Sequence, residues 1–399
     1  MQRVGCPSGA DCGMLVRLDR GIARHLWRGL RSNLFPLGRT KDFAMWNWKN
    51  RGGSVRERVD DRVDDVRAYF GGPWLVRVVG GLLGAYLVVA ALVGWYWSRE
   101  PDLFPVQQHA QQAAERAGRQ MVVGYTTVET LKEVVGTLLN KPGGYLSNDI
   151  FPPGLWLDNM PSWEYGVLVQ TRDLSRALRK DFARSQSQST EDADLARAEP
   201  RFNFDNKSWA LPSSESEYAE GIKSLDRYLA RLSAEQPNAQ FYARADSLNN
   251  WLGDVSTRLG SLSQRLSASV GRVKLNTNIK TASALAPGEA PQVDEEVQET
   301  PWLQIDNVFY EARGQAWALS HILRAIEVDF ADVLAKKNAT VSVRQIIREL
   351  EATQEALWSP MVLNGSGFGV LANHSLVMAN YISRANAAII DLRQLLAQG

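Results

Sequence analysis

The sequence predicts an all-α protein: one transmembrane helix, then an elongated periplasmic helical bundle containing a long antiparallel helical hairpin. Three observations predict it. Residues 78–97, VVGGLLGAYLVVAALVGWYW, run for twenty residues without a charge. Two later stretches, 218–232 and 241–266, step between apolar residues by alternating fours and threes. No stretch of alternating apolar and polar residues reads as a run of strands.

The apolar run spans roughly 30 Å at 1.5 Å per residue, the thickness of a bilayer's hydrocarbon core. Trp74 stands at one end and Trp95, Tyr96 and Trp97 at the other, where amphipathic rings prefer the headgroup level. The formal net charge of +1 hides an asymmetry across this run. Residues 1–97 carry 15 Lys+Arg against 8 Asp+Glu, a net +7, and residues 98–399 carry 30 against 36, a net −6. Arg62, Arg67 and Arg77 precede the span closely, whereas Arg99 and Arg116 follow it. The positive-inside rule then puts the N-terminus in the cytoplasm and residues 98–399 outside, in the periplasm of a bacterium. GWYWSREP offers no small-x-small cleavage site, so an uncleaved anchor is expected.

In chain order, residues 1–44 are Arg- and Gly-rich without periodicity. They read as a disordered leader or a mis-called start, with Met45 the natural one. Cys6 and Cys12 both lie there, so the exported part has no thiol chemistry. Residues 45–73 form a cytoplasmic tail whose 54–70 segment has helical spacing (Val55, Val59, Val63, Val66, Phe70). Within the 74–97 span, Gly80, Gly84 and Ala91 share a small-residue face, the usual device for close helix packing in lipid, and a homodimer is the secondary expectation. SREPDLFP follows as a short extended linker. Residues 106–139 read as one helix, bent at Gly118 and Gly124, and residues 164–183 as another. The segment 185–194 reads as a solvated loop.

Tyr218, Ile222, Leu225, Leu229 and Leu232 then alternate fours and threes, as do Phe241, Ala245, Leu248, Leu252, Val255, Leu259, Leu262 and Leu266. A polar turn at Pro237 and Asn238 joins them. The expectation is a hairpin over about 214–280, packed knobs into holes, its second helix on the order of 60 Å long. A Pro/Ala/acidic linker over about 284–301 leads to C-terminal helices within 302–399.

Candidate chemistry is sparse. His25, His109, His321 and His374 form no zinc signature, and neither a nucleotide loop nor a nucleophile elbow is present. No metal, cofactor or nucleic-acid partner is implied. His321 sits among apolar neighbours and reads as a packed core histidine. Gly365, Ser366 and Gly367, with Asn373 and His374 alongside, form a candidate anion-binding turn before the last helix, competing with a simple tight loop.

The sharpest feature is the break at 141–166, KPGGYLSNDIFPPGLWLDNMPSWEYG, with four prolines, four glycines and five aromatics. A loop this long in a compact domain is usually functional or disordered, and its large apolar residues argue against disorder. Tyr145, Asp149, Phe151, Trp156, Asp158, Trp163 and Glu164 are the candidate partner or ligand surface. The alternatives are packing of its aromatics, with Leu155 and Leu157, onto the bundle, or hydrolysis by a carboxylate pair drawn from Asp149, Asp158 and Glu164.

MWNWKNR, the single early span, the 141–166 break running on into VLVQTRDLSRALR, and the closing NGSGFGVLANHSLVMANYISRANAAIIDLRQLL together resemble an uncharacterised bacterial family. That family is known as a domain of unknown function in single-pass inner-membrane proteins. The resemblance covers roughly residues 45–399 and implies a Gram-negative inner-membrane location, but no chemistry. The expected function is non-enzymatic: binding a protein or ligand in the envelope as a scaffold, assembly or sensing accessory. The alternative is an envelope hydrolase using the loop carboxylates.

Overall fold

The computed structural model describes residues 73–186, 188–275, 295–356, 361–365 and 372–398. The 1–44 leader, the 54–70 segment, both cysteines, most of the 284–301 linker and residues 366–371 lie outside the described residues. The chain divides into two compact units, Met1–Gly80 and Gly81–Gly399.

Helix α1 (Pro73–Trp97) opens with a proline, whose missing N–H costs nothing in a first helical turn. Its stretch Val76–Trp97 has a mean hydropathy of 2.2 with 6 % of the window buried, so this helix is long and apolar enough to cross a membrane. The predicted 106–139 helix is two helices, α2 (Val106–Ala117) and α3 (Tyr125–Asn140). Gly118 ends α2 rather than bending it: at φ 62° it turns left-handed, and its N–H caps the Ala114 and Glu115 carbonyls. Asp329 holds the first turn of α3, accepting from the Thr127 N–H at 2.7 Å and its hydroxyl at 2.6 Å. Burial pushes that carboxyl up, against the pull of these donors.

Helix α4 (Asn159–Ala177) starts inside the predicted loop and ends in a wide turn, Leu178–Phe182. Helix α5 (Ala193–Phe202) begins where a solvated loop was expected, capped by the Asp192 side chain. Then come α6 (Ser214–Leu232), capped by Ser213, and α7 (Ala245–Ser267). A two-stranded antiparallel ribbon, β1 (Arg272–Leu275) with β2 (Glu295–Gln298), ends the α7 region. The last helices are α8 (Ile305–Asp329), α9 (Ala331–Lys336), α10 (Thr340–Ala352) and α11 (His374–Ala397). Apart from the ribbon, the described part is all-α.

Both helices of the expected hairpin form, but they do not pair with each other. α6 packs on α5 and α3, while α7 packs on α11. The α7–α11 pair is antiparallel: Asn249 meets Arg393 and Ser256 meets Asn386, while Ser263 meets Ser383. The physical reason is visible in α11, whose buried Met378, Ile382, Ala385, Ile389, Leu392 and Leu396 carry the same alternation as α7. A narrow apolar seam says that a helix has a partner, not which one. Nor does α7 reach residue 280, because the chain turns at Ala268–Val270 and enters β1.

The tightest crossing joins α4 to α8. A Cβ on Gly314 would fall on the Trp163 carbonyl, and one on Gly166 on the Glu311 carbonyl, so only glycine allows these backbones to touch. One large apolar core runs through α3, α4, α6, α7, α8, α10 and α11. A smaller one (Val134, Leu138, Leu146, Met160, Trp163, Val167, Trp317, Ala318) lies beneath the 141–166 segment.

Candidate functional site

The base of the 141–166 segment is clamped from both ends. Lys141 Nζ lies 2.6 Å from Glu164 Oε1, and the two side chains are 1 % and 0 % exposed. Glu164 also accepts from the Leu146 and Ser147 N–H groups, each at 2.8 Å, and from the Ser147 hydroxyl. A buried ion pair survives desolvation only when its remaining lone pairs are satisfied, and here they are. Burial pushes the Glu164 carboxyl up while Lys141 and these donors pull it down. Trp163 is buried beside Trp317, with ring centroids 5.2 Å apart.

The descending arm is tied to the stretch before α6. The Tyr145 hydroxyl donates to the Asn206 carbonyl at 3.0 Å, and its ring meets the Tyr218 ring edge-on. Asn148 donates to the Ser208 carbonyl and to Glu215. Between these arms, residues 150–157, IFPPGLWL, project with Phe151 75 %, Leu155 58 % and Trp156 53 % exposed.

The linker after α1 is fixed just as firmly. Glu100 pairs with Arg313, whose guanidinium also donates to the Thr353 and Glu355 carbonyls. The Phe104 N–H donates to His321 Nε2 at 3.0 Å, and the two rings stack at 4.0 Å. His321 Nδ1 lies 2.7 Å from the Trp317 carbonyl and must donate to it, since Nε2 is the acceptor. Burial lowers the His321 pKa to about 4. His321 is a packed core histidine, and it also pins the linker to α8.

Between the segment and the start of α8 lies an open cleft of about 710 Å³, lined among others by Asp149, Leu155, Asp158, Tyr165, Asn307 and Glu311. Its character is apolar and acidic, with Lys207 the cation among its lining residues. Desolvation, reinforced by Glu215, pushes the Asp149 carboxyl up. Burial and the nearby Asp158 charge do the same to Asp306. Glu311 is paired with Arg265.

The structure therefore sorts the candidate residues. Asp149 and Asp158 share the cleft, and Phe151 and Trp156 face outward. Tyr145, Trp163 and Glu164 are buried: Tyr145 and Glu164 are committed to packing and hydrogen bonds that hold the segment, and Trp163 to packing against Trp317. Packing onto the bundle describes the base of the segment, not Phe151, Leu155 or Trp156 at its tip. Lys141, Glu100 and Arg313 were not singled out from sequence; each finds its partner at a distance in the chain that no local spacing reveals.

In the Gly-rich turn, residues 366–367 lie outside the described residues. Asn373 caps α11, accepting from the Leu376 N–H at 2.9 Å and donating to the Gly365 carbonyl. His374 Nδ1 accepts from the Leu363 N–H at 2.9 Å. Both side chains are thus engaged by the described residues that flank the turn. On α1, added Cβ atoms at Gly80 and Gly84 would meet nothing within 4 Å, and Ala91 is exposed. Among the described residues no three His, Cys, Asp or Glu side chains gather as a metal site requires.

The sequence profile of the family described as "Uncharacterized protein conserved in bacteria (DUF2333)" matches residues 70–399. The chain belongs to that family. In this DUF2333 member the match takes in α1, the clamped segment and every helix that follows it. No curated protein and no solved structure matches the chain.

Proposed function

We propose that this DUF2333 member is a single-pass inner-membrane protein, with its N-terminus cytoplasmic and residues 98–399 periplasmic, that binds a protein or ligand of the envelope without catalysis. The observation that carries the binding reading is the acidic and apolar cleft between the rigidly held 141–166 segment and α8. Such a lining suits a basic group on an apolar stem. Membrane insertion is supported by the length, hydropathy and exposure of α1. Orientation rests on the cation excess before it.

Hydrolysis is the second reading, and one observation favours it: Asp149, its proton affinity raised by burial, shares the cleft with Asp158. Glu164 drops out of that scheme, because its oxygens are spent on Lys141, Leu146 and Ser147.

A photo-crosslinking residue at Tyr165, on the cleft wall, tests the binding reading in intact cells against one at Val341, which is exposed and does not line the cleft. The reading expects a discrete adduct at Tyr165 alone, weakened by Asp149→Asn. If both positions give the same adducts, or none, the reading fails. If Asp149→Ala or Asp158→Ala abolishes complementation of a deletion while leaving that adduct intact, hydrolysis displaces it.

A further inference from the structure

Outside α1, the segment 150–157 is a further exposed stretch without a charge: in IFPPGLWL the one polar side-chain group is the Trp156 N–H. Its position in the fold gives that exposure a meaning. Among the described residues of α1, only Ala90 and Gly94 are buried, one turn apart on a single face. A Cβ added at Gly94 would stand 3.4 Å from the Pro153 Cβ and 3.8 Å from Leu157 Cδ2. Gly143, at φ 87°, lies directly against the Trp97 ring. The 141–166 segment therefore packs on the last turn of α1, at Gly94 and Trp97. Ala90 lies about 10 Å below Trp97 along the helix axis. Trp95, with the Arg99 guanidinium 4.3 Å over its ring, marks the level where apolar surface gives way to charge. Pro153 and Leu157 of the segment meet α1 at Gly94, one residue on the apolar side of Trp95, beside a helix whose own surface is apolar.

We propose that residues 150–157 are a membrane finger, with Phe151, Leu155 and Trp156 seated in the acyl-headgroup boundary of the periplasmic leaflet that α1 enters. The inference rests on the reading that α1 spans the bilayer, and it continues that interface sideways. The backbone suits the location. Pro152 and Pro153 have no N–H, and the Leu155, Trp156 and Leu157 N–H groups bond to the Phe151, Pro153 and Gly154 carbonyls at 3.1, 2.9 and 3.0 Å. Unbonded donors are costly in lipid, and of the eight residues two carry no N–H and three more bond within the segment, which lowers the cost of seating it at the boundary. Trp156 is suited to the boundary itself, with an apolar ring and one N–H for the wet side. The finger and the pinned linker together give the helical domain two attachments to the membrane instead of one, which fixes the orientation of the cleft relative to the bilayer.

The test uses the full chain in a Cys6→Ser, Cys12→Ser background, reconstituted in phosphatidylethanolamine/phosphatidylglycerol vesicles. Single probes go at Leu155→Cys, Phe151→Cys, Leu87→Cys and Val341→Cys, each carrying an environment-sensitive fluorophore. Quenching by aqueous iodide is compared with quenching by lipids bearing a nitroxide near the headgroup. The proposal expects the probes at 151 and 155 to lose iodide quenching and gain nitroxide quenching, with the probe at 341 showing the reverse. If 151 and 155 behave like 341 while 87 is lipid-quenched, the finger is overturned and the span stands. If 87 is also quenched by iodide, the spanning reading fails and the finger with it.

Discussion

His321 is expected to make folding sensitive to mild acid. The imidazole is 1 % exposed, accepts from the Phe104 N–H and donates to the Trp317 carbonyl, so the fold requires its neutral form. Its pKa falls to about 4 from the ordinary 6.5. For a base with a depressed folded-state pKa, the unfolded chain binds the proton that the folded chain refuses, so stability is lost as pH drops below 6.5 and the loss levels off near 4. At about 1.4 kcal/mol per unit, the loss is about 2 kcal/mol near pH 5 and about 3 kcal/mol near pH 4. Buried carboxylates such as Asp329, whose proton affinity is raised, push the other way as pH falls, so the comparison is made against a variant that keeps them. The measurement is denaturant unfolding of the full-length protein in non-ionic detergent, followed by far-UV circular dichroism, for wild type and His321→Gln between about pH 7 and about pH 5. The wild type should lose about 2 kcal/mol more than the variant over that window. Parallel profiles would mean that the folded chain protonates His321 freely, and the pin between Phe104 and Trp317 would not hold as described.

Other consequences follow from the same contacts. Glu164→Gln or Lys141→Met strands a buried charge, and each should cost about 3–5 kcal/mol in the same unfolding assay. The double variant should cost clearly less than the sum, and full additivity would deny the pair. Gly314→Ala drives a methyl into the Trp163 carbonyl and should destabilise by about 2–3 kcal/mol, whereas Gly136→Ala, which has room, should be close to neutral or slightly stabilising. Arg313→Met releases Glu100 and three backbone carbonyls, and should expose residues 98–105 to limited proteolysis that leaves the wild type intact.

Much of the helical content was legible because it rests on local signals: the uncharged run of α1 and the alternations in α6, α7 and α11, whereas Gly118 was legible as an irregularity but not as the end of α2. Pairing was not legible. α6 and α7 adjoin in the chain and share a period, but so does α11, and only the assembled core chooses between the two partners for α7. α5 escaped notice because it is short and contains Pro200, although Asp192 at its cap and Leu195, Ala198 and Phe202 on one face were available clues. At the candidate site, aromatic composition marked the right segment without separating the buried Tyr145 and Trp163 from the exposed Phe151 and Trp156. Glu164 read as a surface residue, or in the alternative as one of three hydrolytic carboxylates, because Lys141, its partner, lies at the opposite end of the segment.

The central claim is that the 141–166 segment is held rigidly against the last turn of α1. A disulfide tests it most directly, since the added Cβ at Gly94 would lie 3.4 Å from the Pro153 Cβ, at the short edge of bridging range. In the background lacking Cys6 and Cys12, Gly94→Cys with Pro153→Cys should oxidise nearly completely in native membranes and resist alkylation until reduced. If both thiols alkylate freely and no bridge forms, the segment does not rest on α1, and the account of the site built on that contact is wrong.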